Sequence, residues 1–321
     1  MQQEEAFMPS VTTVIPTRGR PELLKRAIDS ALAQLDVDNQ VIVVIDGPPD
    51  AASEAVVHQY EDDRVSSLTF NHNQGPARCR MAGARAARSD WVAFLDDDDY
   101  WYPDKLRRQL SAVPKGEARR TIVSCQSHVE TPTGTYCWPR RMPGPSERVG
   151  DYLFCRHSLF KGESFLQASS ILCPREVLAV HPMEPVAHED WDWVLKACEV
   201  GGNRLVIVPR PLLRHYTEFK RDSLSNRHEF RKSLAWCLGM RRIISRQAFA
   251  GLLLQTLNGA LTEKGDWRGG LRLLSVAMRH GRPRAMDLFM FTSQWLFPVR
   301  MRRNLRALAT STGARSGVVK P

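Results

Sequence analysis

The sequence predicts an α/β fold built on a parallel sheet, and three observations carry that reading. Short runs rich in Val and Ile alternate with helical stretches of about ten residues, the signature of βαβ units. Polar residues follow these runs, at the strand ends where open parallel sheets take their ligands. The apolar run Trp91 to Leu95 stops abruptly at four adjacent carboxylates, Asp96 to Asp99.

In chain order, a strand over Val11 to Ile15 precedes a helix over Pro21 to Ala33. A strand over Gln40 to Asp46 precedes a helix over Ala51 to Tyr60. A third pair is Val65 to Asn71 and Pro76 to Ala87, and Trp91 to Leu95 is the fourth strand. The residues to inspect are those that follow the strands: Pro16, Thr17, Arg18 and Arg20 after the first, Asp46 and Gly47 after the second, and the Asp quartet after the fourth. Further on, Phe165 to Cys173 reads as a strand, with Pro174 opening a short helix. Glu189 and Asp190 open a helix over Trp191 to Gly201, in which Trp191, Val194, Leu195 and Cys198 recur at helical spacing. Leu205 to Val208 and Leu212 to Tyr216 are two short strands, the second carrying His215 near its end.

Carboxylates crowded at the end of a buried strand repel one another, and desolvation raises the cost of their charge. A divalent cation relieves both. Mg2+ or Mn2+ suits such oxygen ligands, and Mg2+ commonly completes its shell with substrate phosphates, which makes a nucleoside diphosphate a natural co-ligand. A solvated acidic turn capping the helix that starts near Pro103 is the plain alternative for the quartet taken alone.

The ordered motifs resemble the family 2 inverting glycosyltransferases with the GT-A fold. They are Val14-Ile-Pro-Thr-Arg-Gly-Arg-Pro-Glu-Leu-Leu24 with Ser30 to Gln34, Val43-Val-Ile-Asp-Gly47, Asn73-Gln-Gly-Pro-Ala77 with Arg80 and Gly83, Phe94 to Asp99, and His188-Glu-Asp-Trp-Asp192. The match spans about residues 10 to 216. The resemblance implies a nucleotide-sugar transferase, Rossmann-like in its donor half. It places Pro16, Thr17 and Arg20 in the nucleotide pocket, Asp46 on the base or ribose, and Arg80 near the phosphates or the acidic run. Asp96 and Asp98 take the D-x-D positions, with Asp96 towards the ribose, Asp98 on the metal, and Asp97 between them at the donor. Asp190 would be the general base with Glu189 beside it. A His in the region of His215 can reach the metal or pyrophosphate in similar enzymes; Gln167 and Ser169 are candidates for the acceptor. A UDP-sugar is the favoured donor, and a glycan or lipid-linked acceptor fits.

The chain departs from the family pattern in places. Ile45 stands where a second acid often precedes the Gly of the second motif, Cys79 and Met81 flank Arg80, and Pro48-Pro49 follows Gly47. These departures bear on base specificity rather than on the reaction class. In such a reaction an acceptor hydroxyl attacks the anomeric carbon as the diphosphate leaves from the opposite face, so one displacement inverts the centre. A nucleotidyltransferase acting on a sugar phosphate and a non-catalytic nucleotide-sugar-binding adaptor are the competing classes. The loop Pro16 to Pro21 lacks the long Gly-rich phosphate cradle expected of the former.

Charge divides the chain into a catalytic domain over residues 1–226 and a basic helical region over 227–321. The latter holds 18 Lys and Arg against 4 Asp and Glu, a net of +14 within an overall +10. It reads as helices over Glu229 to Ser245, Ala248 to Leu261, Trp267 to Arg279 and Ala285 to Leu308, the last kinked at Pro298. Aromatics at 289 to 297 ahead of Arg300, Arg302, Arg303 and Arg306 suit an anionic membrane surface or packing on the catalytic domain. The stretch is too short and too interrupted to span a bilayer. Without a recognised DNA- or RNA-binding motif, no nucleic-acid partner is expected. Seven Cys without a C-x-x-C, and an N-terminus without a signal-peptide core, point to the cytoplasm, with the inner face of the cell membrane as the alternative site. Arg221 and Ser223 are candidates for a lid over the donor.

Overall fold

A computed structural model describes residues 9–132, 134–217 and 230–297. They form two compact units, one from residues 9–130 with 166–185 and 202–217, the other from 131–132, 134–165, 186–201 and 230–297. The proposed lid residues Arg221 and Ser223, the Pro298 kink and the arginines from Arg300 onwards lie outside the described residues.

The first unit is an α/β sheet. Strands β1 (Ser10–Thr17), β2 (Asp38–Ile45), β3 (Val65–Thr69) and β4 (Trp91–Phe94) are joined by helices α1 (Pro21–Leu32), α2 (Ala51–His58) and α3 (Pro76–Ala86). β5 (Tyr100–Trp101), β6 (Thr121–Thr131), β8 (Leu172–Pro174) and β9 (Arg204–Tyr216) extend the sheet in the order β3-β2-β1-β4-β8-β6-β9-β5. β1 to β4 are parallel, and β8 enters antiparallel to β4. β1 and β4 pair Val14 with Phe94, so the residues just after both strands emerge side by side. β1 and β2 are buried almost throughout, as strands covered on both faces must be. Gly83 lets α3 approach β1: a Cβ there would fall 2.3 Å from Val14 Cγ1.

Two elements differ from the sequence-based expectation. Phe165 to Cys173 is not one strand, because Ala168–Ser170 form a 3-10 turn before β8. The Ser170 hydroxyl and amide both donate to Gln167 O, at 2.7 and 3.1 Å, a local alternative to the ladder that Ser readily takes. Conversely, β9 is a single strand of 13 residues rather than two. Its Pro209 and Pro211 fall where the register with β6 jumps from Val208 to Pro211 to Leu213, so bulges absorb the residues that cannot serve the ladder.

Helix α4 (Lys105–Ser111) carries a fully buried lysine. Lys105 Nζ donates to Gln109 Oε1 at 2.7 Å and sits 3.8 Å from the centroid of the Trp101 ring.

The second unit holds β7 (Gly134–Trp138), α5 (Val149–Phe154), α7 (Glu189–Leu195, continued by a π-helical turn to Val200) and helices α8 (Phe230–Gly239), α9 (Arg246–Thr256), α10 (Asn258–Lys264), α11 (Trp267–His280) and α12 (Ala285–Leu296). In the first unit α6 (Arg175–Val180) follows Pro174. α9 is buried from Ala248 to Leu254 and packs on α5, α11 and α12, which makes it the central helix. Gly251 permits this, since a Cβ would sit 2.2 Å from Phe154 O. The helix expected over Ala248 to Leu261 breaks at Leu257. This turns Asn258 inward, where its amide donates to Gln294 Oε1 and its oxygen accepts from Trp295 Nε1, both at 3.0 Å. Among the described residues no helix is long and apolar enough to cross a membrane.

Candidate active site

Hydrogen bonds hold the Asp quartet in fixed positions at the end of β4. The backbone turns on itself through Asp99 N to Asp96 O at 3.0 Å, and Asp96 N donates to Ser169 Oγ at 3.0 Å. Ser169 thus supports the acidic turn itself; its carbonyl also accepts from Trp101 Nε1 at 2.8 Å.

Asp97 points to the β1 side. Its two oxygens accept from Thr17 Oγ1 at 2.8 Å and Arg20 Nη1 at 2.9 Å, and it is nearly buried. Arg20 Nη1 also lies 3.6 Å from Asp98 Oδ2. Arg80, on α3, donates from Nη2 to Asp96 Oδ1 at 2.6 Å. Arg26, which sequence reasoning did not single out, donates to the backbone oxygen of Asp98 at 2.6 Å and lies over the Tyr216 ring.

Asp96, Asp98 and Asp99 each bring one oxygen within 4.8 Å of the others. Asp99, the last residue of the run, is fully buried, with Oδ1 2.9 Å from His215 Nδ1 and Oδ2 without a hydrogen-bond partner. A carboxylate has no proton to offer, so the imidazole donates. An orphaned buried carboxylate oxygen beside two further acids is a donor set for a hard divalent cation, so Mg2+ or Mn2+ fits these residues. It is the one such group of His, Cys, Asp and Glu among the described residues, and the seven cysteines are free thiols. The D-x-D spacing identified Asp96 and Asp98, while only the fold brings His215 onto Asp99.

Asp46 uses both oxygens to accept the amides of Gln74 at 2.6 Å and Gly75 at 3.0 Å. It thereby fixes the turn into α3, where Gly75 takes the positive φ of 84° that a larger residue resists. Ile45, in place of a second acid, is buried in the sheet core. Pro16 and Thr17 are buried at the end of β1. Gln167 is 8% exposed, and its Nε2 has no hydrogen-bond partner.

In the second unit, His188 takes a left-handed conformation, φ 55°, and α7 begins at Glu189. Asp190 is half-buried, and its Oδ1 accepts from Trp191 N at 2.8 Å. His188 stacks on Trp191, with centroids 5.3 Å apart and planes within 13°. Asp192 is buried: it accepts from Trp236 Nε1 at 2.9 Å and pairs with Lys196 at 2.9 Å. Trp193 is core at 1% exposure, while Trp191 stays half-exposed.

The sheet, the strand-end acids and the ordered loops together define a GT-A glycosyltransferase. Residues 12–180, more than half of the chain, match the family described as "Glycosyl transferase family 2", and the chain belongs to that family. It is 27% identical over 249 residues to the amylovoran biosynthesis glycosyltransferase AmsB of Erwinia amylovora, covering 74% of this chain and 80% of that protein. It is 43% identical over 115 residues to the succinoglycan biosynthesis protein ExoO of Rhizobium meliloti, covering 36% of this chain and 33% of that one. Among solved structures it is similar to the mannosyltransferase PcManGT of Pyrobaculum calidifontis in complex with GDP-Man and Mn2+, with a TM-score of 0.51 and 14% identity over 98% of this chain and 77% of the other. It is also similar to S. aureus TarS 1-349 with UDP-GlcNAc, with a TM-score of 0.51 and 14% identity over 89% of this chain and 71% of the other. The chain is therefore a glycosyltransferase, and the nucleotidyltransferase and adaptor readings are set aside.

Proposed function

We propose that the protein is a metal-dependent inverting glycosyltransferase that moves a sugar from a nucleoside diphosphate to a hydroxyl of a growing glycan. The observation that carries the reading is the acidic turn: three carboxylates within 4.8 Å, one with a buried, unpartnered oxygen. Asp96, Asp98 and Asp99 would hold Mg2+ or Mn2+, which when bound offsets charge growing on the departing diphosphate. Arg20 and Arg80 bring fixed positive charge beside the same acids, where a diphosphate would lie. Thr17 and Pro16 line the nucleotide pocket, Asp97 holds the β1 loop against it, and Asp46 shapes the turn at Gln74 and Gly75. Gln167 supplies an amide donor for a sugar or acceptor hydroxyl, and His215 orients Asp99. Asp190 takes the acceptor proton as general base, with Glu189 beside it, a role worth roughly 10²- to 10⁴-fold in rate.

GDP-Man and UDP-GlcNAc in the similar solved structures support a nucleoside-diphosphate sugar as donor, with UDP favoured. The biosynthetic names of AmsB and ExoO support polysaccharide assembly; a place in the cytoplasm, at the inner face of the cell membrane, belongs to the same reading. Calorimetry with UDP-, dTDP- and GDP-sugars, in Mn2+ and in EDTA, on wild type and Asp98→Ala, tests the donor half. One nucleotide should bind only with metal and only to wild type. Binding that ignores both metal and mutation overturns the metal-centred reading, and a product that retains the donor's anomeric configuration overturns inversion.

A further inference from the structure

Helix α11 presents two apolar faces, and among the described residues packing uses one of them. Gly270, Leu273 and Ala277 are buried, and Gly270 lies so close to α12 that a Cβ would come 2.5 Å from the Trp295 indole. The other face is formed by Trp267, Leu271, Leu274 and Met278. Their spacing of four, three and four residues sets them in one stripe along the helix. Trp267, Leu271 and Met278 are 57%, 56% and 57% exposed.

The charges beside this stripe are of one sign. Arg268, Arg272 and Arg279 each immediately follow one of its members, and all three are exposed, which puts a row of guanidinium groups along one flank. Arg268 reaches over the Trp267 ring, with Cζ 5.3 Å from its centroid. No Asp or Glu occurs between Trp267 and His280, and Arg282 and Arg284 follow. An apolar stripe with a cationic flank and an interfacial Trp matches the physical requirements of a helix lying in the headgroup layer of an anionic bilayer. A second copy docking antiparallel through the same face would set the two arginine rows on one side of the seam, like charge beside like charge.

We propose that α11 docks the protein on an anionic lipid surface, with Trp267, Leu271, Leu274 and Met278 at the acyl boundary and Arg268, Arg272 and Arg279 on lipid phosphates. This places the contact on a helix upstream of the 288–306 stretch that the sequence suggested.

The test is cosedimentation of the full chain with vesicles of phosphatidylcholine, with and without phosphatidylglycerol, at low and high salt. Anionic vesicles should retain about tenfold more protein or better, and high salt should release it. Replacing Leu271 and Met278 by Gln, or Arg268, Arg272 and Arg279 by Gln, should reduce binding to the neutral-vesicle level with thermal unfolding unchanged, because the residues are exposed. Equal binding to both vesicle types, or binding indifferent to both sets of substitutions, overturns the proposal. So does a dimer in sedimentation that the Leu271 and Met278 changes dissociate while lipid binding persists, since the face would then belong to a second copy. Every arm reads binding alone, so failure of sugar transfer leaves the result intact.

Discussion

Asp99 and His215, 116 residues apart in sequence, meet at 2.9 Å, and the bond leaves the second oxygen of a fully buried carboxylate with no partner. A buried acceptor in that position is costly unless something fills it. The bond to His215 fixes the direction in which Asp99 points, and Asp96 and Asp98 converge on the same space.

Asp99→Asn tests that arrangement. The amide keeps the shape and can still accept from His215, but one charge leaves the cluster. Mn2+ should raise the melting temperature of wild type and EDTA should reverse the rise. In the variant the affinity read from that shift should fall at least roughly ten- to hundredfold. The metal-free variant should be no less stable than wild type, since like charges have been relieved. An unaltered Mn2+ response would remove Asp99 from the site.

Asp190→Asn separates chemistry from donor binding. Transfer should drop by roughly 10²- to 10⁴-fold, while calorimetric donor affinity stays at the wild-type value. A parallel loss of donor affinity would mean that Asp190 belongs to the nucleotide pocket instead.

Lys105 gives a pH dependence with a definite sign. Burial strips its ammonium of water and lowers it to about 8, against about 10.4 in an unfolded chain. Below pH 8 both states carry the proton, and the folded state bears the full cost of a buried charge. Between the two values the folded protein has released a proton that the unfolded chain retains, so stability rises with pH, by roughly 3 kcal/mol in all. Buried thiols held up by desolvation pull the other way in both proteins, so the readout is the difference: urea titrations should show wild type gaining on Lys105→Met by this amount across the window, and identical slopes would disprove it.

Gly83→Ala should destabilise the protein by about 1–3 kcal/mol in urea unfolding, because the new methyl must displace Val14 from between α3 and β1. A neutral result would show that α3 can shift away from the sheet. The paired change Gly83→Ala with Val14→Ala should recover part of the loss, as coupling between touching residues requires.

The alternation of Val-rich runs and helices disclosed the sheet from β1 to β4, because buried parallel strands are written as continuous apolar segments. The Asp quartet and the loop motifs pointed to the strand ends where the structure gathers the acidic turn, Arg20 and Arg80. Elements whose form depends on tertiary partners were harder to read. Gln167 to Ser170 looked extended until the Ser170 hydroxyl closed a turn. Pro209 and Pro211 look like a break between strands, whereas bulges in β9 itself carry it through its pairing with β6. The D-x-D spacing stops at Asp98, and nothing local announces that His215 will fold back onto Asp99. Arg26 carries no sequence signal either, since its partner is a backbone carbonyl.

The strand order has a consequence for how the chain must be made. β8 and β9, which cover the open side of β4 and the short β5, come from residues 172–174 and 204–216. A nascent chain that has reached residue 130 therefore holds the parallel strands and the acidic turn with the edge of β4 bare, a template for mispairing until β8 emerges about forty residues later, and β9 completes the sheet only at residue 216.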